Sequence, residues 1–240
     1  MDPQNTEKEN KGFLSRLFNM MVPRACTVCG CRLAEDEQVL CLDCNLHLPR
    51  THFVDDAYEN PMASCFWGLL PVERCAALFF YQAHSQVSDV IYALKYRHHP
   101  EYGEMMGQFT AQEFLPKGFF DGVDLIIPVP LAARRQRQRG YNQSMEIARG
   151  VSLATGIPIE KKAVKRLNYK GSQTQKDRWQ RTENVEGAFR LTDAGRISGR
   201  HVLLVDDVVT TGATVCSCGG ELMKADDVKI SVLSLGFTKR

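Results

Sequence analysis

The 240-residue chain has no apolar stretch approaching the roughly 20 residues that a membrane-spanning helix needs. Its first ten residues are polar and carry acids as well as bases, so they do not read as a secretory signal peptide. These two absences argue against membrane insertion and export, and they make the cytoplasm the expected location. The sequence also has no internal repeat and no low-complexity tract.

The composition is that of an ordinary globular protein, with 44% hydrophobic and 24% charged residues. The length allows one full domain and a small additional module. The net charge of +2 is small, but residues 131–182 carry thirteen lysines and arginines against three acids. Two interpretations of this basic stretch stay open: a solvated face, or a surface for a polyanionic ligand.

The nine cysteines favour a metal site and core thiols over disulfides, because the chain has no export signal. Four of them form two Cys-x2-Cys pairs separated by eleven residues: Cys26, Cys29, Cys41 and Cys44. Two such pairs complete the tetrahedral shell of a structural zinc ion and leave no position open for catalysis. Cys31 and His47 are alternative ligands. Metal binding would supply most of the folding free energy of so small a module, on the order of 10 kcal/mol.

Three segments are predicted along the chain. Residues 1–25 form a polar tail with a short helix, residues 26–50 form the zinc-binding module, and residues 65–240 form the main domain. A loose polar connector is expected between the last two, from residue 51 to residue 63.

The main domain alternates short apolar runs with amphipathic stretches, which predicts an α/β fold with a parallel sheet and helices on both faces. The predicted strands cover residues 76–81, 124–130, 163–167, 202–206 and 228–235, and the predicted helices cover 87–97, 102–115, 142–155 and 213–225.

The most informative stretch runs from His201 to Thr214. The apolar residues 202–205 predict a buried strand, and Asp206 and Asp207 follow it directly, before a Thr- and Gly-rich turn and a helix. Such a turn lies at the carboxyl edge of a parallel sheet, where open α/β folds bind ligands. The backbone N–H groups of the turn suit a phosphate, and the carboxylates suit sugar hydroxyls or a divalent cation. The stretch therefore predicts a site for a phosphorylated sugar.

This pattern resembles the phosphoribosyl pyrophosphate (PRPP) motif of the type I phosphoribosyltransferases. The resemblance implies that Asp206 and Asp207 are the catalytic pair, facing the ribose 2- and 3-hydroxyls of PRPP bound with Mg²⁺. It also implies that a loop holds the 5-phosphate, namely Thr210, Thr211, Gly212, Ala213 and Thr214. The alternative is a buried strand that ends in an ordinary Thr/Gly turn.

A second apolar run, ending at Pro130, leads into four guanidinium groups: Arg134, Arg135, Arg137 and Arg139. Arginine pairs bidentately with phosphate oxygens, so this cluster suits a pyrophosphate group. Residues 168–183 are polar and basic with few apolar anchors, which is typical of a functional loop. We expect this loop to carry Arg178 over the substrate.

Together these motifs resemble those of the ComF family, the competence- and gluconate-associated relatives of amidophosphoribosyltransferases. The resemblance covers almost everything after residue 20: the paired cysteines, the P-V-P-L…R-x-R-G-Y-N-Q-S block, the basic stretch up to Phe189, and L-V-D-D-V-V-T-T-G-A-T. It implies a type I phosphoribosyltransferase fold with an N-terminal zinc finger. It makes residues 134–139 the pyrophosphate-side loop and residues 171–181 the flexible active-site loop. Lys95, in a further matching segment, either reaches the site or is solvated.

The family resemblance implies a role in DNA uptake or in handling single-stranded DNA, with DNA-uptake or recombination proteins as partners. Two classes of function stay open: transfer of a phosphoribosyl group to an unidentified acceptor, or PRPP sensing by a catalytically silent protein that binds nucleic acid or a partner. A third is an amidophosphoribosyltransferase-like or nucleobase salvage enzyme. Oxopurine salvage is disfavoured because Thr210 replaces the third acid of those enzymes, and no glutaminase domain is recognisable. The sequence assigns no chemical role to the R-G-Y-N-Q signature, residues 139–143.

Overall fold

The computed structural model of the chain describes residues 25–37, 39–96, 99–167 and 187–238. The chain divides into two compact units, residues 1–48 and 49–240. The predicted N-terminal helix, the basic loop 171–181 and Arg178 lie outside the described residues. Over the described ranges, none of the helices has both the length and the apolar character that crossing a bilayer requires.

The first unit is a small cysteine-rich module. Its chain turns through Gly30, which adopts a positive φ of 73° that favours glycine, and the turn brings Ala25 opposite Arg32 in an antiparallel bridge. Helix α1 (Leu42–His47) follows, with Cys41 as its N-cap. This local geometry places cysteines at a tight turn and at the start of a helix.

The second unit is built on a four-stranded parallel sheet in the order β1-β6-β5-β2. A separate two-stranded antiparallel sheet pairs β3 with β4. The strands are β1 (Cys75–Phe80), β2 (Leu125–Pro128), β3 (Val164–Arg166), β4 (Phe189–Leu191), β5 (His201–Val209) and β6 (Lys229–Phe237).

The helices of this unit are α2 (Gln86–Tyr96), α3 (Pro100–Phe114), α4 (Ala133–Arg139), α5 (Gln143–Thr155) and α6 (Ala213–Leu222). Every residue of β6 from Ile230 to Phe237 is buried. Because successive side chains of a strand point to opposite faces, both faces of the sheet are covered. The predicted α/β class with a parallel sheet is confirmed.

The strand predicted at residues 163–167 exists as β3, but it lies outside the parallel sheet. Its partner β4 has three residues, too few to show a period in the sequence. The expectation of a loose connector at residues 51–63 was wrong. Phe53 packs edge-on against Phe80 and Phe237 with ring centroids 5.5 Å apart, and Met62 is fully buried. A few apolar anchors among polar residues are enough to attach this segment to the sheet.

Helices α3 and α5 approach closely through glycines. A β-carbon at Gly107 would overlap the carbonyl oxygen of Ile147, and one at Gly150 would overlap that of Glu104. This contact sets the position of α5, whose first residues line the site described below.

We expect Gly107→Ala to lower the free energy of unfolding by about 1–3 kcal/mol, because overpacking outweighs the better helix propensity of alanine. Gly220→Ala is the matched control: it lies exposed on α6, where a β-carbon meets nothing within 4 Å. That control should raise stability by up to about 1 kcal/mol. Urea unfolding of both variants checks this, and stabilisation by Gly107→Ala would show that α3 and α5 tolerate separation.

Candidate functional site

The acid pair lies near the carboxyl end of the central strand β5. The strand runs to Val209, beyond the predicted end at residue 206, so Asp206 and Asp207 belong to the strand itself. A turn follows, and Gly212 begins α6 with a φ of +80°. A β-carbon at Gly212 would lie 3.1 Å from the Phe66 ring, so this glycine is required both by its conformation and by its close neighbour.

Asp206 is held by two hydrogen bonds to the same oxygen. Its Oδ1 accepts from the Ser144 hydroxyl at 3.0 Å and from the backbone N–H of Asp207 at 2.9 Å. Desolvation by the surrounding protein, reinforced by the charge of Asp207, raises the pKa of Asp206 to about 7. The hydrogen bonds and Lys95 oppose this shift without cancelling it. A cation or a hydroxyl donor brought to this carboxylate would stabilise its ionised form.

Asp207 forms an ion pair with Lys95, whose Nζ lies 3.0 Å from Oδ2. Both side chains are mostly buried, at 22% exposure for the lysine and 15% for the aspartate. Of the two interpretations open for Lys95, the structure therefore supports the one that places it at the site.

A cavity of about 150 Å³ lies against this acid pair. Its walls come from the end of β5, from the loop after β2, from α4, from the starts of α5 and α6, and from α2 and β3. Among the described residues, the charged side chains that line it are two carboxylates and four cations: Asp206, Asp207, Lys95, Arg135, Arg139 and Arg166.

Arg166 is fixed by stacking, with its guanidinium carbon 5.0 Å from the centroid of the Phe189 ring. Burial, together with repulsion from Arg135, lowers the pKa of Arg166 from its usual value, and attraction to Asp206 opposes that shift. The antiparallel β3–β4 pair thus contributes one cation to the cavity.

The structure brings only part of the predicted phosphate-binding set to this cavity. Thr214 lines it, whereas Thr210, Thr211, Gly212 and Ala213 form the turn and the first residue of α6 beside it. The backbone N–H of Ala213 lies 3.4 Å from the Thr211 hydroxyl oxygen.

The expected pyrophosphate-side loop, residues 134–139, is instead the short helix α4. Alanine, arginine and glutamine are all good helix formers, and Gly140 ends the helix with a φ of +83°. Helix geometry divides the four arginines: Arg135 and Arg139 line the cavity, while Arg134 and Arg137 are absent from its walls. Arg134, Arg135 and Arg137 are exposed, and Arg139 is partly buried.

The R-G-Y-N-Q signature forms the turn between α4 and α5. The Tyr141 hydroxyl donates to the carbonyl of Leu94 at 2.5 Å, next to Lys95. Asn142 is the N-cap residue of α5, but its side chain donates to the carbonyl of Val129 at 3.0 Å instead of capping the helix. The turn ties α2 and the end of β2 to the start of α5. Sequence reasoning assigned no role to Ser144, although it directly follows this signature.

A larger cavity, of about 690 Å³, lies at the opposite, amino edge of the sheet. Several of its charged groups are already engaged: Arg74 donates to the carbonyls of Gly118 and Asp121, and Arg200 lies 3.7 Å from Asp124. Parallel sheets bind ligands at their carboxyl edge, so the smaller cavity at Asp206 and Asp207 is the better candidate.

The four predicted zinc ligands form a compact cluster in the first unit. The sulfur atoms of Cys26, Cys29, Cys41 and Cys44 all lie within 4.8 Å of one another, so the group could hold a metal ion. Hydrogen bonds from the backbone and thiol of Cys31 lower the pKa of Cys29 to about 6, which favours the thiolate that metals bind. His47 instead hydrogen-bonds to the carbonyl of Asp43 at 2.7 Å.

The raised pKa of Asp206 predicts a pH-dependent stability. The folded protein holds this proton more tightly than the unfolded chain, whose reference value is 3.8, so the contribution of Asp206 to stability declines as pH rises towards about 7. Asp206→Asn removes this titration. We expect the variant's advantage in unfolding free energy over the wild type to grow by a few kcal/mol between about pH 4 and pH 7.

Urea titrations of the ligand-free proteins across this window measure that difference. Asp226→Asn, at an exposed position, serves as the control and should differ from the wild type by a nearly constant amount. A constant difference for Asp206→Asn as well would contradict the raised pKa.

Curated proteins similar to this chain are known from several bacteria, although no family model matches it. The chain is 30% identical over 213 residues to DNA utilization protein YhgH of Escherichia coli O6:H1, covering 88% of each protein. The YhgH protein of Salmonella typhimurium is 28% identical over 213 residues, again covering 88% of each. Competence protein F of Haemophilus influenzae is 36% identical over 113 residues, covering 47% of this chain and 49% of that protein.

Similar solved structures include the allosteric regulatory enzyme of purine biosynthesis, at 24% identity and a TM-score of 0.37, covering 56% of this chain and 25% of that one. The B. subtilis glutamine PRPP amidotransferase complexed with ADP and GMP has 24% sequence identity and a TM-score of 0.38. The match covers 56% of this chain and 26% of that one. A purine phosphoribosyltransferase from Pyrococcus horikoshii Ot3 has 17% sequence identity and a TM-score of 0.36. The match covers 57% of this chain and 83% of that one. TM-scores this low carry no argument about the fold, which is defined by the strand order of the sheet.

The YhgH match extends over 88% of both proteins, and it agrees with the family resemblance of the cysteine pairs and the acid-pair block. The chain therefore belongs to the ComF family, together with DNA utilization protein YhgH and competence protein F.

Proposed function

We propose that this protein binds PRPP with Mg²⁺ in the cavity beside Asp206 and Asp207. The observation that carries the proposal is the composition of this cavity, in which two adjacent carboxylates face four cationic side chains at the carboxyl edge of a parallel sheet. PRPP has the complementary composition, with ribose hydroxyls to donate hydrogen bonds and phosphates to accept them.

The charged groups of the cavity divide into two sets. Asp206 and Asp207 accept hydrogen bonds from the ribose hydroxyls and supply the carboxylate oxygens that Mg²⁺ prefers. Arg135 and Arg139 meet the pyrophosphate, which guanidinium groups bind bidentately. The turn that starts α6 presents backbone N–H groups to the 5-phosphate. Bound Mg²⁺ would neutralise charge on the pyrophosphate.

The reaction proposed for this site is transfer of the phosphoribosyl group. The bond between the anomeric carbon and the pyrophosphate oxygen breaks, its electron pair leaves with pyrophosphate, and an acceptor nucleophile forms the new bond. Cations fixed near the departing oxygens stabilise the charge that develops there. Thr210 does not supply the acid that oxopurine transferases use, so the acceptor is not expected to be hypoxanthine or guanine.

The names of the relatives support a function that involves DNA. They are called DNA utilization protein and competence protein, and we propose a role for this chain in the uptake or handling of DNA. Arg134 and Arg137 are exposed on α4 and are available to contact the phosphates of a single strand. We further propose that the cluster of four cysteines holds a structural zinc ion.

The second candidate function is a PRPP-responsive protein that binds nucleic acid without catalysis. Arg134 and Arg137 favour it, because they are exposed on α4 and do not line the cavity. Release of pyrophosphate with an acceptor present supports the enzyme. Single-strand binding that weakens steeply with salt and changes when PRPP is added, without pyrophosphate release, supports the sensor.

The primary experiment is calorimetric titration of the full-length wild type with PRPP, with and without Mg²⁺. We expect saturable binding that requires the cation. Absence of binding under both conditions would refute the proposed function. Assays of pyrophosphate release against nucleobases and single-stranded DNA then decide between the two candidates.

A further inference from the structure

Gln143 begins α5 and is buried in the wall of the cavity, with 2% of its surface exposed. Its Oε1 accepts a hydrogen bond from the Arg139 guanidinium at 2.8 Å. A guanidinium has donors only, so the amide atom that faces Arg139 must be the oxygen. The contact therefore fixes the orientation of the amide and turns Nε2 away from Arg139.

Nε2 of Gln143 has no hydrogen-bond partner over the part of the chain that the structure describes. A buried donor left unsatisfied destabilises a protein by about 1–3 kcal/mol, which is why nearly all buried polar atoms are paired. The next residue, Ser144, donates its hydroxyl hydrogen to Asp206. An acceptor supplied by a ligand would satisfy the Gln143 donor.

We infer that Gln143 is a ligand-binding residue, whose Nε2 donates a hydrogen bond to a pyrophosphate oxygen of PRPP, and that Arg139 is the positioning residue that orients its amide. The inference rests on the proposed function and deepens it. It also gives the R-G-Y-N-Q signature a chemical role: Arg139, its first residue, orients the amide of Gln143, its last residue, for a hydrogen bond to the substrate.

The choice of pyrophosphate over ribose follows from where the charges lie. Gln143 contacts Arg139, and the segment after β2 that contains both also brings Arg135 to the cavity. Donors gathered on one segment of the chain suit an anion. The carboxylates of Asp206 and Asp207 accept hydrogen bonds and suit the sugar hydroxyls.

Calorimetric titrations of the full chain test this, with three probes: PRPP with Mg²⁺, inorganic pyrophosphate with Mg²⁺, and ribose 5-phosphate. Gln143→Met keeps the size of the side chain and removes the Nε2 donor, together with the oxygen that accepts from Arg139. We expect it to weaken binding of PRPP and pyrophosphate by about 10- to 100-fold and to leave ribose 5-phosphate binding unchanged. Gln143→Glu keeps the acceptor for Arg139 and places an anion at the donor position, so it should weaken PRPP binding further.

Gln138→Met, at an exposed position on α4, is the matched control and should bind all three probes like the wild type. Thermal unfolding of the ligand-free proteins separates binding from structure. Gln143→Met removes an unsatisfied buried donor, which stabilises the protein, and the acceptor for Arg139, which destabilises it, so its unfolding temperature should stay within a few degrees of the wild type. If Gln143→Met fails to fold, the structural role that this implies overturns the inference, unless Gln143→Glu folds and shows the selective loss of PRPP and pyrophosphate binding.

The outcomes distinguish this inference from the proposed function. Wild-type affinity for PRPP in Gln143→Met overturns the inference alone, and an equal loss of ribose 5-phosphate binding overturns the assignment to pyrophosphate. A wild-type protein that does not bind PRPP overturns the proposed function and the inference together.

Discussion

Asp206→Asn/Asp207→Asn is expected to bind PRPP with Mg²⁺ about two to four orders of magnitude more weakly than the wild type. Each substitution removes a charged acceptor for a ribose hydroxyl, and a hydrogen bond to a charged group contributes about 1.5–3 kcal/mol. The pair would also lose its attraction for the cation. Calorimetric titration of the double variant measures the change.

The fold should survive this change. Asparagine keeps an oxygen that can accept from the Ser144 hydroxyl and from the backbone N–H at position 207, the two hydrogen bonds that hold Asp206. Far-ultraviolet circular dichroism and zinc content should therefore match the wild type. A properly folded double variant with undiminished PRPP affinity would refute the assignment of the acid pair.

The chain offers a closely matched control. Asp226 and Asp227 are also adjacent aspartates, but they are exposed and precede β6 at the amino edge of the sheet. Asp226→Asn/Asp227→Asn removes the same charge from the opposite edge. We expect it to keep wild-type PRPP affinity, so a loss there would point to net charge rather than to the site.

Cys41→Ser/Cys44→Ser is expected to abolish zinc binding and unfold the first unit. Zinc binding contributes on the order of 10 kcal/mol to such a module, and few apolar residues are buried in its described part: Leu33, Val39, Leu40 and Leu48. Elemental analysis should find one zinc per wild-type chain and none in the variant, and proteolysis should cut the variant first within residues 1–48.

Cys65→Ser/Cys216→Ser, in the second unit, is the control with the same number of thiols removed, and it should retain its zinc. Hydrogen bonding to Cys29 and Cys41 raises the pKa of the nearby Cys31 thiol to about 12. A full complement of zinc in Cys41→Ser/Cys44→Ser would move the ligand assignment to Cys31 and His47.

Several features of the main domain could be predicted from local patterns. The central strands β5 and β6 are buried on both faces, and a strand in that position is apolar almost without interruption, so it stands out in the sequence. Asp206 and Asp207 interrupt that run, which marks the carboxyl edge where ligands bind. The paired cysteines could be recognised in the sequence equally well, because a metal imposes a short, regular spacing on its ligands.

Other features depend on contacts between distant parts of the chain. Ser144 and Asp206 are 62 residues apart and hydrogen-bond only because β2 lies beside β5 and α5 starts at the same edge. The ion pair of Lys95 with Asp207 depends on α2 reaching that edge. No periodicity within α2 distinguishes a lysine at a site from a solvated one.

The sequence alone determined the α/β class with its parallel sheet, the acid pair near the carboxyl edge of that sheet and the cysteine cluster, because each of these features depends on a few neighbouring residues. Only the tertiary structure decided which cations lie beside the acids, how α4 divides its arginines, and that Arg139 orients the Gln143 amide. Those properties depend on side chains that are brought together by folding. A local sequence pattern does not specify the distances between such side chains.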